Sequence, residues 1–381
     1  MWIYLICFAI SCLLLKISIN QNKILKLLLI TVAVLLPCLL AGVRAEIIGT
    51  DVHVYVKPLF NLASYAENFT EYLNMNVDNI RQVKDYEIGF TSMIFFLSKL
   101  FGNLQVILFT IEVLVIIPIY LGLRKYEQIH DKIWLCMLVF FLMFYNTSLN
   151  AMRQYIGIAF VFYGLSAVIN NKEKKMIFYF SLIIGYLFHK SSILGILIYI
   201  LYNSIENQKN IKILLGNKKI DSKTLLFSLI ILVGVAMVLN SEILELSLTS
   251  LGFSRYSRYI YGDTKFSFFS ILKIFPPLLI LVINKKEFKR KIKNNKFYTI
   301  VFILSIIISQ LSTANVRAGR IGYIFSIFNI ILFPLLCKCS NSSKKNTFII
   351  IVYLLAYWYY MFVICGSNET IPYKMYTEGI W

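Results

Sequence analysis

The stretch LQVILFTIEVLVIIPIYLGL, residues 104–123, decides the fold class because it is long, apolar and continuous. It holds one charged side chain, Glu112, in 20 residues. About 20 apolar residues in a helix cross a bilayer core of about 30 Å. Similar runs recur along the 381 residues, of which 59% are hydrophobic, with a mean hydropathy of +0.72. Because the runs are continuous rather than alternating, they predict membrane-spanning helices and not strands.

Working outward from this run predicts an all-α fold, a polytopic integral membrane helical bundle with about 12 transmembrane helices in one membrane domain, 1–381. The predicted spans are 2–19, 24–42, 104–123, 133–149, 154–170, 176–188, 192–204, 223–240, 267–283, 298–311, 321–336 and 347–365. The apolar stretch 87–101 is predicted to be a re-entrant or interfacial outer helix. As a thirteenth span it would move the lysine-rich loops after it outside.

The distribution of positive charges predicts which loops face the cytoplasm. The net charge is +19, and the six loops predicted to be cytoplasmic carry 23 Lys and Arg residues, of which 21 are lysines. Lysines in short loops orient the spans, so this charge does not indicate nucleic acid. The first apolar run has no basic region before it, and Lys23 and Lys26 come after it. This pattern predicts an uncleaved span with the N-terminus outside. The expected location is the cell (cytoplasmic) membrane, with both termini extracytoplasmic. Long extracytoplasmic loops are expected at 43–103 and 241–266, and an extracytoplasmic tail at 366–381.

The cysteines indicate no disulfide framework and no metal site. Seven are scattered along the chain, and Cys337 and Cys339 form a CxC pair without a second pair nearby. We therefore expect no metal and no cofactor.

Arginine is distributed differently from lysine, because seven of the nine arginines fall in the predicted outer segments. Six of these lie at or near outer ends of spans: Arg44, Arg153, Arg255, Arg258, Arg317 and Arg320. Arginine that faces lipid costs free energy, so such residues tend to face protein or a wet cavity. The planar guanidinium matches phosphate oxygens, which suggests a phosphorylated ligand at this surface. The alternatives are snorkelling to lipid headgroups and pairing with Glu46, Asp51 or Glu87.

Three side chains are candidates for proton transfer at the same side. His189 stands in Phe-His-Lys-Ser-Ser between two short apolar runs, Asp51 follows Gly-Thr, and Glu87 opens Glu-Ile-Gly-Phe. Histidine can donate or accept a proton near neutral pH, and a desolvated carboxylate becomes a stronger base. The alternatives are a capped helix end for the histidine and salt bridges to arginine for the carboxylates. Tyrosines in the outer loops form either an interfacial belt or platforms for sugar rings: Tyr55, Tyr65, Tyr72, Tyr86, Tyr256, Tyr259, Tyr261 and Tyr373.

Taken in order, these pieces resemble the EpsG/Wzy-type family of bacterial polysaccharide polymerases. The matching pieces are Arg44 with Gly49, Thr50, Asp51 and Tyr55; Glu87 to Phe90; Arg153-Gln154 with Ala159; Phe188 to Ser191; Arg255-Tyr256 with Tyr259; and Arg317, Arg320 and Tyr323. They extend over most of the chain, and their order among the spans is more specific than any one piece.

The resemblance implies that the protein joins oligosaccharide repeat units linked to undecaprenyl pyrophosphate at the outer face of the membrane, in surface polysaccharide biosynthesis. The expected partners are the lipid-linked oligosaccharide, the bilayer, a flippase and a chain-length regulator, and no nucleic acid. Arg153, Arg317, Arg320, Arg44 and Arg255 are the predicted pyrophosphate-binding residues. Asp51, His189 and Glu87 are the predicted catalytic residues, and Tyr55, Gln154, Tyr256, Tyr259 and Tyr323 the predicted substrate contacts.

Three other functions fit parts of the same pattern. A flippase for lipid-linked oligosaccharides would favour charges along the whole path through the membrane, whereas the polar residues here gather on one face. A ligase of the O-antigen type uses the same donor and differs only in its acceptor. A non-catalytic subunit of an export assembly is the third alternative.

Overall fold

The computed structural model describes residues 1–171, 174–206, 274–309, 320–340 and 342–376. These residues are mainly helical and include no β-strand, which confirms the all-α prediction. Six helical stretches in the described ranges are long and apolar enough to cross a membrane: Lys23–Gly42, Leu104–Leu123, Glu127–Ser148, Met152–Asn170, Arg320–Cys339 and Ser343–Ile364. The protein is therefore an all-α membrane protein, and the total of about twelve spans stays a prediction. The predicted span 223–240 lies outside the described residues.

The chain divides into two compact units. The first contains residues 1–193 and 351–381 and the second residues 194–350. The α-helices, numbered in chain order among the described residues, are α1 Trp2–Ser18, α2 Lys23–Gly42, α3 Lys57–Tyr65, α4 Phe69–Asn74, α5 Ile88–Phe101, α6 Leu104–Leu123, α7 Ile133–Phe140, α8 Asn146–Ser148, α9 Met152–Asn170, α10 Lys175–Phe188, α11 Gly195–Glu206, α12 Phe275–Ile283, α13 Lys285–Lys291, α14 Asn295–Ser309, α15 Tyr323–Ser326, α16 Asn329–Cys339 and α17 Ser343–Trp358. π-Helical turns follow at Phe141–Tyr145 and Tyr359–Ile364, and another stands at Val52–Val56.

The long helices of the first unit run back and forth, and glycines permit their close approach. A Cβ on Gly42 at the end of α2 would lie 3.2 Å from the Gln105 carbonyl oxygen at the start of α6. A Cβ on Gly157 near the start of α9 would lie 3.1 Å from the Gly185 carbonyl oxygen near the end of α10. Small residues at such crossings let helix backbones pack tightly without a side chain between them.

These contacts define two ends of the first unit. At the site end, α2 and α10 end and α6 and α9 begin. At the loop end, the turn Ile19–Asn22 joins α1 to α2, and α6 and α9 end. The start of α1 also belongs to the site end, because the Tyr4 hydroxyl donates to the Thr370 carbonyl at 3.0 Å.

Helix α5, in the stretch predicted to be re-entrant or interfacial, starts and stops at the site end. A Cβ on Gly89 would lie 2.8 Å from the Leu187 carbonyl oxygen at the end of α10. The helix ends at Gly102, which adopts a left-handed conformation with φ 60°, and Asn103 then caps α6 through the Gln105 N–H at 2.7 Å. A helix with 14 residues whose two ends lie at one end of the bundle does not cross it.

A buried polar segment, residues 146–150, leads into α9 and organises the site end. The Asn146 side-chain Oδ1 accepts from the Trp358 indole N–H at 2.7 Å, and the Ser148 hydroxyl donates to the Glu112 carboxylate at 2.9 Å. The tail after Gly366 packs on this segment, since the Asn368 amide donates to the Thr147 hydroxyl at 3.1 Å. Buried polar groups that are satisfied in this way fix one arrangement of the chain.

Candidate functional site

An ion pair between the starts of two helices is the centre of the candidate site. Arg153 is the second residue of α9, and Glu87 directly precedes α5. The Arg153 Nη1 donates to the Glu87 Oε2 at 2.6 Å, and the two side chains are 17% and 13% exposed. A pair that is this little exposed is screened less than a surface pair, so it fixes the position of both groups.

Three aromatic rings surround the Arg153 guanidinium. Its central carbon lies 4.4 Å from the centre of the Tyr55 ring, 5.4 Å from that of Tyr86 and 5.8 Å from that of Phe90. The Tyr55 and Tyr86 rings are 5.8 Å apart and meet edge to face. Cations are attracted to ring faces at these distances, so the rings hold the guanidinium in addition to the ion pair.

Two groups at this cluster have hydrogen-bond donors that no described residue uses. The Arg153 Nε and Nη2 donate to no described residue. The Tyr86 hydroxyl is buried and makes no hydrogen bond to the described chain. Burial raises the pKa of Tyr86, while the guanidinium groups of Arg81 and Arg153 oppose that rise. A fixed cation with unused donors is a suitable site for a phosphate group.

A second guanidinium, that of Arg81, lies against the same two tyrosine rings. Its central carbon is 5.9 Å from the centre of the Tyr55 ring and 5.6 Å from that of Tyr86. Its Nε donates to the Asp78 carboxylate at 2.8 Å, and this hydrogen bond lowers the pKa of Asp78. Arg81 therefore adds positive charge at the outer, more exposed edge of the cluster.

Contacts of the Gly49 and Asp51 backbone position Asp51, which lies one helical turn before Tyr55. Gly49 has φ +85°, and a Cβ there would lie 2.7 Å from the Leu149 carbonyl oxygen, so the close approach requires glycine. The Asp51 N–H then donates to the Asn150 Oδ1 at 3.0 Å, three residues before Arg153. The Asp51 side chain is half-buried at the start of the π-helical turn that carries Tyr55.

His189 comes directly after α10, close to α9. A Cβ on Gly157, one turn after Arg153, would lie 3.5 Å from the His189 Cβ. The imidazole Nδ1 lies 2.7 Å from the Ser191 hydroxyl, and the side chain is half-buried. Gln154 follows Arg153 on α9 and is buried. The first unit thus brings Asp51, Glu87 and His189 to the site end together with Arg153.

Arg44 has a different environment from Arg153, although both were predicted to bind pyrophosphate. Its side chain is 1% exposed, and its Nη2 donates to the Leu149 carbonyl at 3.1 Å. The C-terminal tail covers it, because the Ala45 N–H donates to the Lys374 carbonyl at 2.8 Å. Burial lowers the pKa of Arg44, and the charge of Glu112 opposes this. Arg44 is part of the buried framework beneath the site.

The remaining predicted pyrophosphate-binding and substrate-contact residues belong to the second unit or lie outside the described residues. Arg320 begins the short 3₁₀ turn Arg320–Gly322 and Tyr323 begins α15, and both side chains are half-buried in the second unit. Those outside the described residues are Arg255, Tyr256, Arg258, Tyr259 and Arg317. Among the described residues, no group of three or more His, Cys, Asp and Glu side chains could hold a metal ion.

Several contributors to the site were not among the predicted catalytic, pyrophosphate-binding or substrate-contact residues, although Tyr86 was one of the outer-loop tyrosines and Phe90 ended the Glu-Ile-Gly-Phe piece. Tyr86 and Phe90 flank Glu87 at positions −1 and +3, a spacing that places residues near one another at a helix start. That spacing was a usable signal. Arg81 and Asn150 gave no comparable signal, because their partners are distant in the sequence or lie in an irregular loop.

The comparisons with known proteins agree with the sequence resemblance. No curated protein and no solved structure matches the chain. A family does match, over residues 27–375, which is most of the chain and includes every residue discussed in this subsection. The chain therefore belongs to the EpsG family, the family of Wzy-type polysaccharide polymerases.

Proposed function

We propose that this protein polymerises oligosaccharide repeat units carried on undecaprenyl pyrophosphate, at the outer face of the cytoplasmic membrane. Family membership supports a role in polysaccharide polymerisation. Orientation is supported by charge, because Lys23, Lys26 and Lys125 stand at the loop end of the first unit and lysine-rich ends face the cytoplasm. The site end then faces outward, where the lipid-linked sugars are displayed.

The observation that carries this proposal is the way in which Arg153 is held. Glu87 takes one nitrogen, Tyr55 packs on the guanidinium face, and Nε and Nη2 donate to no described residue. A donor that is fixed before the reaction needs no reorganisation when negative charge develops on the leaving group. A pyrophosphate leaving group gains such charge as its bond to the sugar breaks, so Arg153 would bind the transition state more strongly than the ground state.

The proposed step is a displacement at the anomeric carbon of the donor. A hydroxyl of the acceptor repeat unit attacks this carbon and forms the new glycosidic bond. The bond from the anomeric carbon to the pyrophosphate oxygen breaks, and its electrons stay on undecaprenyl pyrophosphate. The hydroxyl proton passes to a base on the protein. The growing chain is thereby transferred to the lipid of the acceptor, and no nucleotide takes part.

Asp51 and His189 are the proposed candidates for the base. Glu87 is engaged with Arg153, so we assign it the role of orienting the guanidinium. The Asp51 backbone is held by Asn150, and the His189 ring is held by Ser191 at 2.7 Å, so both can be presented in a fixed position. Tyr55 and Tyr86 offer ring edges and a buried hydroxyl without a described partner, which suits recognition of a sugar. Arg320, Tyr323, Arg255 and Arg317 stay proposed contacts from the second unit.

The test is a reconstituted reaction that compares two arginine substitutions of the same kind. Purified protein in detergent receives purified lipid-linked repeat units without nucleotide, and the products are separated on a gel. Arg153→Lys keeps the charge but loses the planar fork, and we expect elongation to fall by about 10²-fold or more. Arg290→Lys, in an exposed ion pair with Glu287, is the matched control and should give the normal ladder.

Two outcomes would contradict the proposal. A normal ladder from Arg153→Lys would show that the bidentate donor is not needed. The absence of a ladder from the unmodified protein, together with movement of lipid-linked sugar across a vesicle membrane, would make the protein a flippase and the arginine part of a translocation path.

A further inference from the structure

A small cavity opens at the loop end of the first unit, away from the candidate polymerisation site. It has a volume of about 50 Å³ and lies between the end of α1, the start of α2, the end of α6 and the start of α7. A water-sized group needs about 10–15 Å³ by this kind of measure, so the cavity has room for about four such groups. That matches the four oxygens of a phosphate.

Three potentially cationic side chains line this cavity and have no described anionic partner. Lys26 comes from α2, Arg124 follows α6, and His130 precedes α7. None of the three forms an ion pair or a side-chain hydrogen bond within the described ranges. Convergence of such side chains from three elements raises the local positive potential, which favours an anion.

Tyr120 adds a neutral hydrogen-bond donor to the cavity, independently of these charges. Tyr120 lies one helical turn before Arg124 and is 5% exposed, and it lines the cavity. Its hydroxyl makes no hydrogen bond to the described part of the chain. Tyrosines whose rings are largely buried usually find a hydrogen-bond partner for the hydroxyl. The cavity therefore combines basic side chains with a neutral donor from a largely buried tyrosine.

The walls of the cavity indicate that the anion belongs to a lipid. Leu15, Ile19 and Ile30 line it and come from the apolar helices α1 and α2 or the turn between them. The adjoining faces of these helices are exposed and apolar, with Ile17 43% and Leu27 67% exposed. A phosphate bound in the cavity would thus have its acyl chains beside a surface that lipid covers.

We propose that this cavity binds the phosphate of an anionic phospholipid at the membrane face opposite the polymerisation site. Arg124 and Lys26 donate to the phosphate oxygens, Tyr120 supplies a neutral donor, and the acyl chains follow the exposed faces of α1 and α2. This site is separate from the proposed polymerase function and does not depend on it.

Tryptophan fluorescence can report occupancy, because Trp134 follows the cavity residue Ile133 and its ring lies 5.3 Å from the Lys16 Nζ. The purified full-length protein is placed in phosphatidylcholine vesicles that contain increasing fractions of dibrominated phosphatidylglycerol, whose bromines quench nearby tryptophan. We expect quenching at lower fractions than with dibrominated phosphatidylcholine. Trp134→Phe should remove this component of the signal.

Matched double variants test whether the cavity is responsible. Lys26→Gln with Arg124→Gln should raise the fraction of phosphatidylglycerol needed for half-quenching by about tenfold, which corresponds to about 1.4 kcal/mol. Lys23→Gln with Lys174→Gln removes the same charge from exposed positions at this end. This variant should change the fraction needed for half-quenching by less than about twofold. Tyr120→Phe leaves the charge unchanged and should raise the fraction of phosphatidylglycerol needed for half-quenching by about threefold.

Three outcomes would overturn the proposal. An equal loss in both double variants would mean diffuse attraction to a basic surface. Equal quenching by the two brominated lipids in the unmodified protein would mean that the site does not select an anionic headgroup. Protection of Trp134 by inorganic phosphate, without any preference for phosphatidylglycerol, would mean that a free phosphate is the ligand. Each variant is first checked for a single peak in size-exclusion chromatography, so that a folding defect is not counted as a loss of binding.

Discussion

The two ends of the first unit both carry positive charge, but they hold it differently. At the site end, Arg44 is buried and Arg153 is fixed by a carboxylate and three aromatic rings. At the loop end, Lys26 and Arg124 have no ion-pair partner in the described part of the chain. Holding an arginine in place costs desolvation and side-chain entropy, so the site end uses free energy to fix its cations. Cations at the loop end orient the helices without being held in place, and Lys26 and Arg124 keep their donors for the proposed lipid phosphate.

Within the site end, the environments of Arg44 and Arg153 indicate a structural role for Arg44 and a role in the reaction for Arg153. Both arginines have donors that no described residue uses, but Arg44 is 1% exposed under the C-terminal tail, whereas Arg153 is 17% exposed and its donors are accessible to a ligand. Substitution of Arg44 should therefore act on stability, and disturbance of Arg153 should act on the reaction.

The largest expected effect comes from Arg44→Leu, which leaves the buried Glu112 carboxylate without its neighbouring cation. We expect a loss of about 2 kcal/mol or more in the free energy of unfolding, because the charge of Arg44 acts on buried Glu112 and its removal leaves that group with less opposing charge. Arg124→Leu at the loop end should change this free energy by less than about 0.5 kcal/mol, since its side chain is exposed. Both are measured by titration with a denaturing detergent in mixed micelles.

A double variant sharpens this test of Arg44. Arg44→Leu combined with Glu112→Leu should lose less stability than Arg44→Leu alone, because an apolar pair leaves no buried charge. A loss in the double variant equal to the sum of the two single losses would contradict electrostatic coupling between the residues.

The next largest effect is expected from Glu87→Gln, which removes the charge that orients Arg153. Elongation should fall by about tenfold, since a misplaced guanidinium stabilises the leaving pyrophosphate less well. Glu287→Gln is the matched substitution in an exposed ion pair with Arg290 and Lys291. It should leave the rate of elongation unchanged. If both variants kept the normal rate in the reconstituted assay, the orienting role of Glu87 would be lost.

The sequence predicted the helices of this protein far better than it predicted their contacts. Helix α6 begins and ends at Leu104 and Leu123, as predicted, because a bilayer allows only a narrow range of apolar helix lengths. The family and the membrane location were also predictable, since the order of short motifs among apolar runs is readable without coordinates.

The roles of individual arginines were not predictable in the same way. Arg44 and Arg153 both follow or begin an apolar run, so hydropathy treats them alike. Their difference depends on residues remote in the chain, such as Lys374, whose carbonyl accepts from Ala45, and Glu87, which pairs with Arg153. Irregular segments make these contacts, and no periodic pattern encodes where such segments pack.

The smallest of the expected effects concerns the aromatic face on which Arg153 rests. Tyr55→Leu removes the ring that lies 4.4 Å from the guanidinium carbon, and we expect elongation to slow by about fivefold, or about 1 kcal/mol. The loop end offers a matched contact, because the Lys125 Nζ lies 4.6 Å from the centre of the Tyr163 ring. Tyr163→Leu removes a comparable contact there and should not slow elongation.

Tyr55→Phe distinguishes the ring face from the hydroxyl. The ring face is retained, so a rate close to that of the unmodified protein is expected if Tyr55 acts by holding Arg153. A loss as large as that of Tyr55→Leu would mean instead that the hydroxyl is the active group and contacts the sugar directly. Either result assigns Tyr55 one role, because the two variants share the loss of the hydroxyl and differ in the aromatic face that carries the cation–π contact.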